Sequence, residues 1–94
     1  MSYSVEWDPV KAAQNLQKHG ISFEEAASAF NDPLSVTIDD VRHSDDEQRY
    51  VDIGLSSRGR LLVVVYTERG DVARIISCRE ATAWERRVYE RGDA

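Results

Sequence analysis

The number and position of the arginines in this sequence could allow it to bind phosphate groups. Residues 49–94 contain nine arginines, seven acidic residues and no lysine, whereas residues 1–48 contain three basic and ten acidic residues. The two halves therefore carry net charges of +2 and −7. The planar guanidinium forms paired hydrogen bonds with phosphates and carboxylates. The second half could thus bind phosphate groups, or its arginines could form ordinary surface ion pairs, as Arg86 could with Glu85.

Two other groups of residues could bind ligands or ions. His43 and the acidic run Asp45–Glu47 could supply ligands to a metal ion, but a charged run of this kind more often forms a solvated loop. His19 falls in the last turn of a predicted helix, where a cation stabilises the helix dipole. The sequence lacks a phosphate-binding glycine loop, a Gly-x-Ser-x-Gly turn and a His-Glu-x-x-His helix. Its single cysteine, Cys78, excludes a disulfide within the chain.

Length and composition indicate one globular domain over residues 1–94. Hydrophobic residues make up 41% and charged residues 31%, which excludes disordered and fibrous classes. The longest apolar run, Leu61–Tyr66, is too short for a membrane helix, and the N-terminus lacks signal-peptide features. We therefore expect a cytoplasmic protein with no membrane partner. The net charge of −5 taken alone argues against a nucleic-acid partner, but the uneven distribution of arginine weakens that argument.

Local signals predict a strand over residues 3–7 followed by a helical hairpin. Asp8 and Pro9 suit the start of the first helix, and Gly20 suits a left-handed end. Its expected inner stripe is Val10, Ala13 and either Leu16 or Gln17. A capping box from Ser22 to Glu25 begins the second helix. The expected inner face of the second helix is Phe23, Ala26, Ala27 and Phe30.

Four further strands and a last helix complete the predicted order β-αα-ββββ-α. The strands are expected at residues 34–39, 51–56, 61–65 and 72–78. The third is apolar throughout, as in a central strand covered on both faces. Three-residue loops at Ser57–Gly59 and Glu68–Gly70 predict antiparallel hairpins. A capping box from Thr82 to Glu85 begins the last helix, with Trp84 and Val88 expected to face inward. The predicted class is α+β with a mainly antiparallel sheet.

These loops predict which side chains share a face of the sheet, because they place residue 56 opposite 60 and residue 67 opposite 71. The expected core face holds Val51, Ile53, Leu55, Leu61, Val63, Val65, Ala73 and Ile75. The other face holds Tyr50, Asp52, Arg60, Leu62, Val64, Tyr66, Arg74 and Ile76. Slipping the last hairpin by one residue would instead place Arg79 beside Arg60. Either register gathers arginines on one face, where they could bind phosphates or pair with acidic neighbours such as Asp52, Asp71 and Glu80.

An ordered series of short motifs over about residues 5–90 resembles the BrnT family, toxins of bacterial type II toxin–antitoxin systems. The first matches are Trp7-Asp8, Lys11, Asn15, Lys18-His19-Gly20, Phe23 and Ala26. The central matches are His43-Ser44, Glu47, Arg49, Ile53-Gly54, Gly59–Val65 and Thr67–Gly70. The last matches are Arg74–Ser77, Arg79, Ala81-Thr82, Glu85-Arg86 and Tyr89-Glu90.

The resemblance implies a RelE-like fold and a ribonuclease that blocks translation without a metal or other cofactor. In such enzymes the ribose 2′-OH attacks the neighbouring phosphorus and a cyclic phosphate results. The implied partners are an RNA substrate and a BrnA-type antitoxin with a ribbon-helix-helix part, with two toxin copies per complex. Any contact with DNA would come from the antitoxin.

The resemblance also implies roles for individual residues. The implied catalytic residues are Arg79, Arg74, Arg60, Tyr89 and His43. The implied RNA-binding residues are Arg58, Tyr66 and Arg86. Arg79 would stabilise the growing phosphoryl charge, and a basic role for Tyr89 would require a cation such as Arg86 to lower its pKa. The antitoxin is expected to cover the arginine face and its apolar floor of Leu62, Val64 and Ile76.

Three positions depart from the family pattern. Cys78, Glu80 and Trp84 stand where small or basic residues are expected. Two alternatives therefore stay open: a non-catalytic protein-interaction module or inactive homologue, and a metal-dependent hydrolase built on residues 43–47.

Overall fold

A five-stranded sheet with strand order β1-β5-β4-β3-β2 organises the chain in a computed structural model that describes residues 4–39 and 48–92. The strands are β1 (Ser4–Trp7), β2 (Val36–Asp39), β3 (Arg49–Leu55), β4 (Leu61–Arg69) and β5 (Val72–Glu80). The helices are α1 (Pro9–His19), α2 (Phe23–Ser28) and α3 (Ala83–Arg91), and a single 3-10 turn, Ala29–Asn31, follows α2. This order confirms the predicted α+β arrangement. β1 pairs in parallel with β5, and the other pairings are antiparallel.

One of the two predicted hairpin loops is confirmed and the other is wrong. Ser56 N–H donates to the carbonyl of Arg60 at 2.8 Å, and Gly59 adopts a φ of 79°, as a three-residue loop requires. In the second hairpin Arg69 pairs with Val72, so the turn has two residues rather than three. Residue 67 therefore lies opposite residue 74, not residue 71.

A β-bulge in β5 changes the faces again. Val65 pairs with Ser77 while the next residue, Tyr66, pairs with Ile75, which leaves Ile76 as the additional residue. The bulge shifts the alternation by one position beyond Ile76. As a result Arg79, which pairs with Val63, faces the same side of the sheet as Arg74.

Helices cover both faces of the sheet. Leu62 and Val64 have no exposed surface, because they pack with Phe23 and Ala26 of α2. Val88 of α3 packs on the opposite face. The residues of that second cluster are Val36, Ile53, Leu61 and Val63. The predicted open face with an apolar floor of Leu62 and Val64 is therefore wrong, whereas the prediction that β4 is covered on both faces is confirmed.

The ends of α1 agree with the predictions and its inner face does not. Asp8 accepts a hydrogen bond from Val10 N–H at 2.9 Å, and Gly20 ends the helix in the left-handed conformation. Val10 and Leu16 are 63% and 51% exposed. The buried residue is Asn15, whose Nδ2 donates to the carbonyl of Cys78 at 2.9 Å and whose Oδ1 accepts from Cys78 N–H at 3.0 Å. A polar anchor to β5 thus replaces the predicted apolar stripe.

The last helix begins as predicted, but one of its two residues expected to face inward lies at the surface. Thr82 and Glu85 form a complete capping box, and Val88 is buried. The prediction that Trp84 faces inward is wrong, because Trp84 is 60% exposed and Val88 alone joins the buried cluster from this helix. Within the described ranges, no helix has the length and apolar character needed to span a bilayer.

Candidate functional site

The three arginines expected to act together lie on opposite faces of the sheet. Arg74 and Arg79 lie on the face that α3 covers, because they pair with Thr67 and Val63. Arg60 lies on the other face, where it contacts α2 through Glu25. The predicted single arginine face is therefore wrong, and its physical cause is the combination of a two-residue turn with a bulge.

Arg60 ties β4 to α2. Its Nε donates to Glu25 Oε2 at 2.9 Å, its Nη2 donates to Glu25 Oε1, and Nη2 also reaches the carbonyl of Gly20 at 3.2 Å. Glu25 is 5% exposed and accepts a further hydrogen bond from Ser56 Oγ at 2.7 Å. Arg60 lowers the pKa of Glu25, so the carboxylate stays ionised. This arrangement gives Arg60 a structural role. The Glu25 carboxylate binds Arg60 instead of closing the predicted capping box, so only the hydrogen bond from Glu25 N–H to Ser22 Oγ forms.

Arg74 forms a simpler pair at the surface. Its Nη1 donates to Glu6 Oε2 at 2.8 Å, which joins β5 to the neighbouring β1. The two side chains are 35% and 45% exposed. Exposed pairs of this kind contribute little to stability.

Arg79 is held by two hydrogen bonds to one carboxylate. Nη1 and Nη2 donate to Oε1 and Oε2 of Glu85, both at 2.7 Å, and Nη1 also donates to the carbonyl of Glu80 at 3.2 Å. Glu85 Oε1 in turn accepts from Thr82 N–H at 2.8 Å. These hydrogen bonds, chiefly those of Arg79, lower the pKa of Glu85 to about 2. The end of β5 and the start of α3 thus fix the guanidinium in one orientation.

The fixed guanidinium of Arg79 keeps an unused pair of donors. A guanidinium has five N–H groups, and partners among the described residues account for three of them. Nε–H and the second proton of Nη2 remain, and these two lie on the same edge of the group. The side chain is 43% exposed, and an edge with two N–H donors has the geometry that binds two oxygens of one phosphate.

Tyr89 is positioned as a hydrogen-bond donor rather than as a base. Its hydroxyl donates to Asp32 Oδ2 at 2.6 Å, which joins α3 to the segment after the 3-10 turn. Asp32 also accepts the backbone N–H groups of Leu34 and Leu55 at 2.9 and 2.8 Å. The hydrogen bond to Asp32 raises the pKa of Tyr89 to about 12. A basic role would need the opposite shift.

The remaining predicted residues are separated from one another. Arg58 and Arg86 are exposed, at the β3–β4 loop and on α3. Tyr66 is only 2% exposed, because Tyr50 stacks on it with ring centroids 5.6 Å apart and Phe30 meets it at 4.9 Å. An RNA base therefore has no ring surface of Tyr66 on which to stack. His43 and the rest of the run to residue 47 lie outside the described residues, and within the described part no group of three or more His, Cys, Asp or Glu side chains is placed to hold a metal.

The sequence predictions missed two structural features that bear on a candidate site. The capping box indicated that Glu85 bonds to Thr82. The sequence did not indicate that Glu85 also bonds to Arg79, because that contact depends on the bulge in β5, and a bulge has no simple sequence signal. The sequence predicts that Asp52 is a polar residue on one face of the sheet and a possible ion-pair partner of an arginine. Its actual environment is a buried cleft, described below.

Comparisons with known proteins concern the family and the fold of the chain. Residues 7–85 match a family model described as the ribonuclease toxin BrnT of type II toxin–antitoxin systems. A 1.1 Å crystal structure of the Brucella abortus ribonuclease toxin BrnT has a similar fold, with a TM-score of 0.60 and 23% sequence identity. The alignment covers 86% of this chain and 99% of the Brucella chain. A search of curated proteins found no match.

Proposed function

Because the chain belongs to the BrnT family of ribonuclease toxins from type II toxin–antitoxin systems, we propose that it cleaves RNA without a metal ion and thereby blocks translation, with Arg79 as the phosphate-binding residue. The family supports ribonuclease activity in general. The finer assignment depends on the geometry of Arg79.

The observation that carries the assignment is the unused donor edge of Arg79. In the proposed step the ribose 2′-oxygen bonds to phosphorus, the bond from phosphorus to the 5′-oxygen breaks, and a 2′,3′-cyclic phosphate and a 5′-hydroxyl result. Negative charge grows on the phosphate oxygens during this step. Donors that are already fixed stabilise that charge without reorganising, and the Glu85 pair fixes Arg79 in this way.

Proton transfer needs a separate group. The 2′-hydroxyl proton must leave to a base, and the 5′-oxygen must receive a proton. Tyr66 is buried and the pKa of Tyr89 is raised to about 12, so we assign this role to His43. Histidine has an ordinary pKa near 6.5 and can serve as both base and acid at neutral pH. We assign the exposed Arg58 and Arg86 to phosphates beyond the scissile bond.

The family also implies a protein antitoxin. We propose a BrnA-type partner with a ribbon-helix-helix part that brings two toxin copies together and supplies the contacts with DNA. Exposed apolar side chains near α3 would anchor it, since Trp84, Leu34 and Leu55 are 60%, 70% and 44% exposed. Tryptophan is common among residues that dominate binding energy.

One observation favours a second candidate, a non-catalytic interaction module. Arg60, Arg74 and Arg79 each form an ion pair with a glutamate of the same chain. Arginines used only for internal pairing would leave the chain without a phosphate site. In this case the exposed apolar residues near α3 would still bind a partner.

Incubation of the purified chain with RNA in EDTA separates these functions. We expect cleavage that leaves 2′,3′-cyclic phosphate and 5′-hydroxyl ends. Cleavage that EDTA abolishes and that added metal restores would indicate the metal-dependent hydrolase. An absence of cleavage under both conditions would indicate the interaction module.

A further inference from the structure

A cleft of about 240 Å³ opens on the face of the sheet that carries Arg60, at the opposite end of the strands. Phe30 of the 3-10 turn and the stacked rings of Tyr50 and Tyr66 supply its aromatic walls. Asp52 of β3 and Glu68 of β4 also line it. It is separate from the proposed phosphate site, because Arg79 faces the other side of the sheet.

The position of the 3-10 turn beside this cleft depends on a glycine. A Cβ added to Gly54 would lie 2.7 Å from the carbonyl oxygen of Ala29. The turn can approach β3 this closely only because residue 54 has no side chain. The same close approach brings Phe30 against Tyr66 and forms one wall of the cleft.

Asp52 is a buried carboxylate with one oxygen unused. The residue is 2% exposed, and its Oδ1 accepts a hydrogen bond from Thr37 Oγ1 at 2.9 Å. Oδ2 is also buried and accepts no hydrogen bond of normal geometry among the described residues, although Ser35, which also lines the cleft, is close enough to the carboxylate to lower its pKa. Buried polar atoms normally have partners. An orphaned oxygen beside a cleft is therefore the acceptor that a bound donor would use.

The charge of the cleft restricts the kind of donor. Its charged lining residues, Asp52 and Glu68, are both acidic, and none of the seven residues that line it is basic. This environment repels phosphates and disfavours a nucleotide. It attracts a cation, and aromatic rings attract the same kind of group through their faces. A planar guanidinium suits both features, because it stacks on rings and donates to carboxylates at its edge.

We propose that this cleft binds the guanidinium of an arginine supplied by the antitoxin. The source of the arginine depends on the proposed function, whereas the preference of the cleft for guanidinium does not. The guanidinium would donate to Asp52 Oδ2 and stack beside Tyr50. Because the cleft and Arg79 lie on different faces, the antitoxin would contact the toxin at two separate places.

An NMR titration tests the chemical preference directly. The probe is N-acetyl-arginine methylamide, and its control is the citrulline analogue, which has nearly the same shape without the charge. We expect saturable shifts of the Thr37, Tyr50 and Asp52 amides with millimolar affinity for arginine and no saturable shift for citrulline. Equal effects of the two probes, or guanosine monophosphate binding in the cleft in preference to arginine, would overturn the proposal.

Matched variants locate the binding. Asp52→Asn removes the charge and keeps the Thr37 hydrogen bond, and it should weaken arginine binding at least tenfold. Glu24→Gln changes an exposed carboxylate on α2 and should leave binding unchanged. If Asp52→Asn does not fold, Glu68→Gln is the second variant, with an expected weakening of at least threefold. Unchanged arginine affinity in the folded cleft variant would contradict the assignment.

The last experiment measures binding of the antitoxin. Its affinity for the purified toxin should fall at least tenfold with Asp52→Asn and stay constant with Glu24→Gln. Equal affinities would show that the antitoxin does not use the cleft. If the wild-type chain binds arginine but does not cleave RNA, the proposed function is wrong and arginine binding by the cleft stands. If it cleaves RNA but does not bind arginine, arginine binding by the cleft is wrong and the proposed function stands.

Discussion

The guanidinium of Arg79 and the carboxylate of Glu85 form a two-point ion pair, with both N···O distances at 2.7 Å. Glu85 is also the capping residue of α3, through its contact with Thr82 N–H. One carboxylate therefore starts the last helix and orients the arginine that we assign to phosphate binding. Helix capping and the proposed catalysis are coupled through this residue.

Glu85→Gln should reduce RNA cleavage more than it reduces stability. Glutamine keeps much of the shape but cannot hold two donors of Arg79 with a full charge. We expect a fall of about tenfold or more in kcat, because Arg79 loses its fixed orientation, and a loss of about 1 kcal/mol in the free energy of unfolding. Single-turnover cleavage and urea denaturation measure the two effects. A stability loss with unchanged cleavage would make Glu85 a capping residue only.

Stability should increase as the pH falls from 7.5 to about 5. Burial raises the pKa of Asp52 from 3.8 to about 6, so the folded state takes up a proton that the unfolded state does not yet bind. This shift corresponds to about 3 kcal/mol, gained as pH falls through 6 towards 3.8. The contribution of Glu85 has the opposite sign and is lost as pH falls below about 4.5 towards 2. Urea denaturation across this pH range measures the sum.

Asp52→Asn is the control for the pH dependence. The amide cannot ionise, so the variant should lack the gain between pH 7.5 and 5. It should also be about 1–3 kcal/mol more stable than the wild type at pH 7.5, because it removes a buried charge. A wild-type pH profile in this variant would assign the gain to another group.

Tyr89→Phe should lower stability and leave RNA cleavage largely intact. The change removes the hydrogen bond to Asp32 and leaves that acceptor with one donor fewer. We expect a loss of about 1–2 kcal/mol in the free energy of unfolding. Thermal melts and cleavage rates at a temperature where the variant is folded separate the two effects. A hundredfold loss of cleavage in the folded variant would restore a catalytic role for Tyr89.

Trp84→Ala should weaken antitoxin binding with little effect on the fold. Trp84 is 60% exposed, so its removal should change stability by about 0.5–1 kcal/mol at most. Val88→Ala is the matched contrast on the same helix, because Val88 is 7% exposed and its burial contributes about 1.5–3 kcal/mol. Calorimetric titration with the antitoxin gives the binding effect. Unchanged affinity would remove Trp84 from the interface.

Local sequence signals predicted the elements of this fold well. Asp8, Gly20 and Thr82 begin or end helices as expected, because capping depends on the residue and its immediate neighbours. The uninterrupted apolar run of β4 correctly predicted burial on both faces. These features depend on short stretches of chain, which a sequence displays directly.

The register of the strands was harder to predict from the sequence. A two-residue turn at Gly70 and a bulge at Ile76 together decide which face Arg79 occupies, and a shift of one residue reverses every side chain beyond it. The sequence therefore indicated the candidate arginines but not the faces of the sheet on which they lie, and their roles stay predictions.

The rate of RNA cleavage by Arg79→Ala in EDTA tests the central claim most directly. Arg74→Ala is the matched control, because it removes the same charge from the same strand and the same face. We expect Arg79→Ala to reduce the rate by about 10²–10³-fold and Arg74→Ala to stay within about threefold of the wild type. Circular dichroism confirms that both variants are folded. Wild-type cleavage by folded Arg79→Ala would contradict the account.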